Sequence, residues 1–196
     1  MSVGADFLSS WVSPIEFSRQ YGEARKLDGG KMAKHIQFES NLSLTGSNAD
    51  NRIAIKPSMY GAVLANLYNE VARVFGAETI SSPDVSGEIA ASIKAAANSL
   101  IEDKSKSLLV VGSNNSAHQI LANGINTMIG SYGNTIDLEN SMLSIQSDDA
   151  SVDQFLEEMN AGVVGALIVY GSNPSYTLPN PSSFNDALSK VGISIS

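Results

Sequence analysis

Two runs in this chain drive a short apolar stretch straight into the same loop: Ser107-Leu-Leu-Val-Val-Gly-Ser-Asn-Asn-Ser116 and Ala166-Leu-Ile-Val-Tyr-Gly-Ser-Asn-Pro174. Apolar runs of this length that end in Gly and open into a helical pattern read as buried parallel strands, because alternation is lost when helices cover both faces of a sheet. In open α/β sheets, ligands gather outside the carboxyl ends of such strands, where Gly lets the backbone approach and the next helix offers free N–H groups. The two loops are therefore expected at one sheet edge, and they are the first place to look for function. Neither contains Lys, Arg, Asp, Glu or Cys.

The rest of the chain divides at about residue 57. Before it, Ser13-Pro-Ile-Glu16 is a capping box with Pro at the first helical position, opening a helix that carries Phe17 and Tyr21 and stops before Gly29-Gly30. From His35 the period changes to two, with Ile36, Phe38, Leu42 and Leu44 on one side, a turn over 45–50, then Ile53 and Ile55. That pattern reads either as a strand pair or as a strand leading through a loop to another element. After residue 57, helices are predicted from about Ser58 (Leu64, Leu67, Tyr68, Val71, Phe75) and from about Ser86 (Ile89, Ile93, Ala97, Leu100, Ile101).

From residue 107 the periods alternate as βα units. A strand over 107–112 leads to a helix from Ser116 to about Ile129, with Ile120, Leu121, Ile125 and Met128 inward, then to a strand over 134–138. A second capping box, Ser151-Val-Asp-Gln154, opens a helix with Phe155, Leu156 and Met159 that ends at Gly162. A strand over 165–170, a helix capped by Asn180-Pro181 and a last strand from Ile193 complete the pattern. Strand starts about 25 to 30 residues apart match right-handed βαβ crossovers. The expectation is an α/β fold: an N-terminal helix and extended segment over 1–57, then a Rossmann-like parallel sheet with flanking helices over 58–196. Its pattern stops where another helix is due, which predicts a fragment of a longer polypeptide.

Composition excludes several classes. The 196 residues carry a formal net charge of −8, placed unevenly: residues 57–196 hold five Lys/Arg against fourteen Asp/Glu. Nucleic-acid binding needs clustered cations to displace counterions, and this body offers none. With 0 Cys there is no disulfide, thiolate zinc site or iron-sulfur ligand in these residues. No window reaches the ~20 apolar residues of a membrane span, and Met1-Ser-Val-Gly-Ala-Asp lacks the regions of a signal peptide.

Four strings carry a resemblance: Asp6-Phe-Leu-Ser-Ser-Trp-Val-Ser-Pro-Ile-Glu-Phe17, Ser43-Leu-Thr-Gly-Ser-Asn-Ala-Asp50, Asn126-Thr-Met-Ile-Gly-Ser-Tyr-Gly133 and Tyr170-Gly-Ser-Asn-Pro174. Over nearly its whole length the chain resembles the molybdopterin oxidoreductase superfamily, and most closely the molybdopterin-like, iron-sulfur subunit of bacterial alternative complex III, a quinol:electron acceptor oxidoreductase. In cofactor-carrying members, such loops approach the guanine dinucleotide arms of the molybdenum cofactor. The closer relatives are understood to keep the fold without molybdenum, their iron-sulfur clusters lying in another part of the same subunit.

Carried over, the resemblance makes Gly112, Ser113 and Asn114 the first loop of an ancestral cofactor site, and Gly171, Ser172, Asn173 and Pro174 the second. Each Gly permits close backbone approach, each Asn offers donors and acceptors to a purine or ribose, and Pro174 stiffens the exit. The plain alternative is a strand-to-helix turn capped by Asn. Two functional readings follow. In one, the chain is a non-catalytic structural domain without cofactor, metal or catalytic residue, packed against the other domains of its polypeptide and other subunits of a membrane respiratory complex, the parent being exported to the periplasmic side. In the other, it binds the guanine dinucleotide part of molybdopterin guanine dinucleotide in an active molybdenum enzyme. No Cys, Ser or Asp stands in a matched position to coordinate molybdenum.

Remaining polar residues have simpler expected roles. His118, two residues into its helix, is expected as a surface or capping residue with no nucleophile nearby, and His35 as a solvated one. Asp148-Asp149 and Glu157-Glu158 read as helix-cap charges and a solvated face. Trp11, Phe7 and Tyr21 read as a docking cluster for the N-terminal segment. Gly112-Ser-Asn-Asn-Ser116 lacks both the G-x-G-x-x-G spacing and the P-loop Gly-Lys-Ser/Thr.

Overall fold

Ser2 and Val3 form a strand of only two residues, yet it lies inside a four-stranded parallel sheet and organises the N-terminal unit. The computed structural model describes residues 1–27, 31–85, 87–140 and 148–196. In chain order the N-terminal unit has β1 (Ser2–Val3), α1 (Pro14–Ala24), β2 (Ile36–Glu39), α2 (Leu44–Ser47), β3 (Asn51–Ala54), α3 (Tyr60–Phe75), α4 (Gly87–Glu102), β4 (Val110–Val111) and α5 (Ser116–Met128). The C-terminal unit has α6 (Asp149–Asn160), β5 (Ala166–Ile168), α7 (Pro174–Thr177), α8 (Pro181–Leu188) and β6 (Ile193–Ile195). The chain divides into compact units Met1–Ser141 and Met142–Ser196. The fold is α/β.

Strand order in the first sheet is β3-β2-β1-β4. Val3 pairs with Phe38 on one side and Val111 on the other, and Ile36 to Glu39 pair with Asn51 to Ala54. The chain builds outward through β2 and β3, then returns to the far side of β1 for β4, so the β1/β4 boundary is the topological switch point where open α/β sheets bind ligands.

Alternation along β2 gives the sheet two different faces. Ile36 and Phe38 join Val3, Leu109 and Val111 beneath α3, α4 and α5, whose Leu64, Leu67, Val71, Ile93, Leu100 and Ile125 fill one apolar core. Full burial of side chains like these contributes roughly 1.5–3 kcal/mol each. His35, Gln37 and Glu39 lie on the opposite face, beneath the segment containing α1, and all are buried. Polar groups can be buried there because each is bonded: His35 Nε2 to Gln37 Oε1 (3.3 Å), and Gln37 Nε2 to Glu39 Oε2 (3.3 Å).

Several expectations change. Residues 36–55 form a parallel pair bridged by α2, with Leu42 and Leu44 exposed, because Ser43 caps a helical turn by accepting from Gly46 N (2.9 Å). Residues 134–138 are not a strand: Thr135 N and Ile136 N bond back to Ser131 O (2.8 and 2.9 Å), leaving a single bridge between Tyr132 and Ile136. The two Gly-Ser-Asn loops do not leave one sheet. β4 pairs with β1, whereas β5 pairs in parallel with β6 in a two-stranded sheet of the C-terminal unit. The strands before residue 57, β1 to β3, supply the neighbours that the C-terminal strands were expected to provide. The expected end of the first helix at Gly29-Gly30 and the start at Ser86 lie outside the described residues.

In the C-terminal unit, Met159 of α6 and Phe184 and Ala187 of α8 are buried, with Leu156, Leu167, Val169 and Val191 packed around them.

Candidate functional site

The carboxyl ends of β1 and β4 meet at the switch point. Gly112 N donates to Val3 O (3.0 Å), and a Cβ at Gly112 would lie 2.2 Å from Gly4 O. Backbone against backbone is what demands glycine here. Gly4 has φ +64, and a Cβ on it would lie 2.5 Å from Cε2 of Tyr60, the first residue of α3. Tyr60 thus covers the exit of β1, its hydroxyl 3.4 Å from Ser40 Oγ at the end of β2.

On the β4 side, Ser113 Oγ lies 2.9 Å from His118 Nδ1 and accepts from Asn115 N (3.2 Å). Asn115 is the N-cap of α5, its side chain accepting from Ala117 N (2.9 Å). His118 therefore has a hydroxyl partner five residues upstream, where none was expected: one turn of the loop brings it back. A Cβ at Gly61 would lie 3.0 Å from His118 Nε2, so the imidazole is held between the loop and α3. Asn114 is exposed, and the Gln119 amide ties the loop down through Val111 O (3.0 Å) and Ser113 O (2.6 Å).

Asn126 fixes the other end of α5. Its side chain accepts from Leu109 N (2.9 Å) and donates to Leu109 O (2.8 Å), so the amide imitates a neighbouring strand beside β4. The Asn126-to-Gly133 string thus has a bonding role, with Gly130 and Gly133 at φ +70 and +77 in the turn that follows.

The second loop is open. Gly171 has φ +65 with nothing within 4 Å of a Cβ built on it. Ser172 and Asn173 are exposed, and Asn173 precedes α7 without a side-chain capping bond. Its carbonyl instead accepts from Tyr176 N and Thr177 N (both 2.9 Å), with Pro174 as the first residue of the turn. Tyr170 and Tyr176 beside it are exposed.

His35 is buried, not solvated. Its Nδ1 lies 3.2 Å from Tyr21 Oη, Phe7 and Tyr21 pack on its ring, and burial pushes its pKa down to about 4. Trp11 sits on Phe17, so the docking cluster is Phe7, Tyr21 and His35. The Arg25 guanidinium, paired at 2.7 Å, holds the Asp50 carboxyl far below the usual carboxylate range, and Asp50 accepts from His35 N (2.7 Å). Asp148 is the N-cap of α6, bonded by Ala150 N and Ser151 Oγ. Ser151 therefore lies inside the helix that it was expected to cap. Among the described residues no group of three or more His, Cys, Asp or Glu could hold a metal ion, and no helix is long and apolar enough to cross a membrane.

Sequence reading missed Gly4, Tyr60 and the depression of about 560 Å³ over the ends of β2 and β3, lined by Ser40, Asn41, Ile55, Lys56, Met59 and Ile89. β1 has only two residues, too few to show a strand period.

No family model matches the chain. It is similar to the menaquinone reductase, molybdopterin-binding-like subunit of Nitratidesulfovibrio vulgaris, with 23% identity over 224 residues, covering 97% of this chain and 32% of that protein. The chain thus spans about a third of the length of that curated relative.

Proposed function

We propose that the chain is a non-catalytic, molybdopterin-oxidoreductase-like structural domain of a quinol oxidoreductase subunit. The likeness to a menaquinone reductase subunit over 97% of the chain supports the class. The finer assignment, the iron-sulfur subunit of an alternative complex III exported to the periplasmic side of a respiratory membrane, rests on the four strings above. The other domains of that polypeptide and the other subunits are its proposed partners.

One observation carries the structural role: the glycines at the switch point are filled by the chain itself. Gly112 faces the Gly4 carbonyl, Gly4 faces the Tyr60 ring, and Gly61 faces His118. A Cβ would lie 2.2 Å from backbone at Gly112, 2.5 Å from the ring at Gly4 and 3.0 Å from the imidazole at Gly61, so the chain's own atoms account for the glycines. Among the described residues no buried side-chain nitrogen or oxygen lacks a partner. This close packing supports a β1/β4 rim that serves the fold and holds no guanine dinucleotide.

The second reading, retained cofactor binding, is favoured by the other loop alone, where Gly171 faces open space. Elemental analysis of the intact parent complex separates the two. Iron without molybdenum is expected; molybdenum near one equivalent per subunit would overturn the structural role.

A further inference from the structure

We propose that the outer edge of β3, with the two depressions between it and α4, is a docking groove for an extended peptide segment of acidic character, which would add to the sheet as a fifth strand. This goes beyond the structural role above and does not depend on it.

Among the described residues β3 is the last strand of its sheet, paired on one side only. Ile55 N donates to Glu39 O (2.9 Å), so the amides of Ile53 and Ile55 point toward β2. By alternation, Arg52 and Ala54 turn their N–H and C=O groups outward, forming a short template for another backbone. Arg52 and Ala54 are exposed, so the edge is accessible.

α4 runs alongside, separated from the strand by two depressions. The lower one, about 250 Å³, is lined by Lys34, Ile36, Asn51, Ile53, Ala91 and Ala95. The upper one, about 560 Å³, includes Ala54, Ile55, Lys56, Met59 and Ile89. Ile53 belongs to the lower and Ile55 to the upper, so the two recur at the i, i+2 interval at which an added strand presents side chains to one face. Free edge bonds with pockets for alternate side chains are the physical basis of recognition by strand addition.

Charge selects the occupant. Among the described residues no Asp or Glu lines either depression, while Lys34 lines the lower and Lys56 the upper, in a protein of net charge −8. The segment that fits has small or β-branched residues at alternate positions and carboxylates at its ends. Arg52 is not available to it, since its guanidinium is paired with Glu39.

The probe is a fluorescein-labelled octapeptide alternating valine and threonine between terminal glutamates, titrated into the whole chain by fluorescence anisotropy. Saturable binding is expected, with amide protection by hydrogen exchange at Arg52 and Ala54. A peptide N-methylated on the paired face should lose at least ~tenfold in affinity, because a lost edge bond also leaves its partner unpaired. Lys56→Glu should weaken binding by a similar factor, and lysine-ended peptide should bind the wild type less well. Absence of saturable binding, an N-methylated peptide that binds equally well, protection at Ala166–Ile168 instead of β3, or displacement by guanosine diphosphate would each overturn the assignment.

Discussion

At the scale of single residues, the informative positions are those whose side chain, or lack of one, is fixed by a neighbour. Gly112→Ala should cost at least about 2 kcal/mol, since its Cβ would meet the Gly4 carbonyl at 2.2 Å and backbone cannot swing aside. Gly171→Ala meets open space and costs only the strain of its positive φ, about 1 kcal/mol. Urea unfolding of the two variants tests the ranking; equal losses would contradict the account of the first loop. His35 supplies a pH dependence. Burial keeps its folded pKa near 4, below the ordinary value of 6.5, so the unfolded chain takes up the proton first as the solution is acidified. Stability is therefore intact above about pH 6.5 and declines as pH falls toward 4, by at most ~3 kcal/mol from this group. Asp50, held low by Arg25, loses its contribution in the same direction at still lower pH. Chemical denaturation at pH 7, 5.5 and 4.5 should show the fall, and His35→Gln should flatten it above pH 4.5.

At the scale of elements, sequence patterns fixed helices better than strands, and for a physical reason. α3, α4, α5 and α8 appear where periodicity placed them, because a 3.6-residue stripe repeated over many residues is a redundant signal. β4 lies inside the strand expected over 107–112, whereas β1 has two residues, too short for any period, and is strand because β2 and β4 flank it. Caps show the same contrast. Asn180 before Pro181 accepts from Ser183 N as the pattern implies, whereas Ser13 makes no side-chain capping bond and its helix is held by packing and polar contacts with Phe7, His35 and Asp50. Asn115→Ala should thus cost about 1 kcal/mol and Ser13→Ala almost nothing in thermal unfolding. Of the candidate site, the first loop was legible as a Gly-Ser-Asn turn. The covering of the β1 exit by Tyr60 was not, since Gly4 and the tyrosine lie far apart in the chain and no local pattern records that contact.

At the scale of the molecule, the β3-β2-β1-β4 order puts a switch point where α/β proteins keep their ligands, and near it Gly112 meets the Gly4 carbonyl, Gly4 the Tyr60 ring and Gly61 the His118 imidazole. Fold and site are separable, because packing and binding depend on different atoms. The acidic balance of residues 57–196 adds that the chain should not retain DNA on a filter at physiological salt; retention that weakens steeply with added salt would oppose it. The proposed structural role is tested most directly by calorimetric titration of the wild-type chain with guanosine diphosphate, beside Asn114→Ala and Asn173→Ala. The account predicts no heat of binding in any of the three, with melting temperatures close together. Heat in the wild type that vanishes in both variants, their melting temperatures preserved, would contradict it.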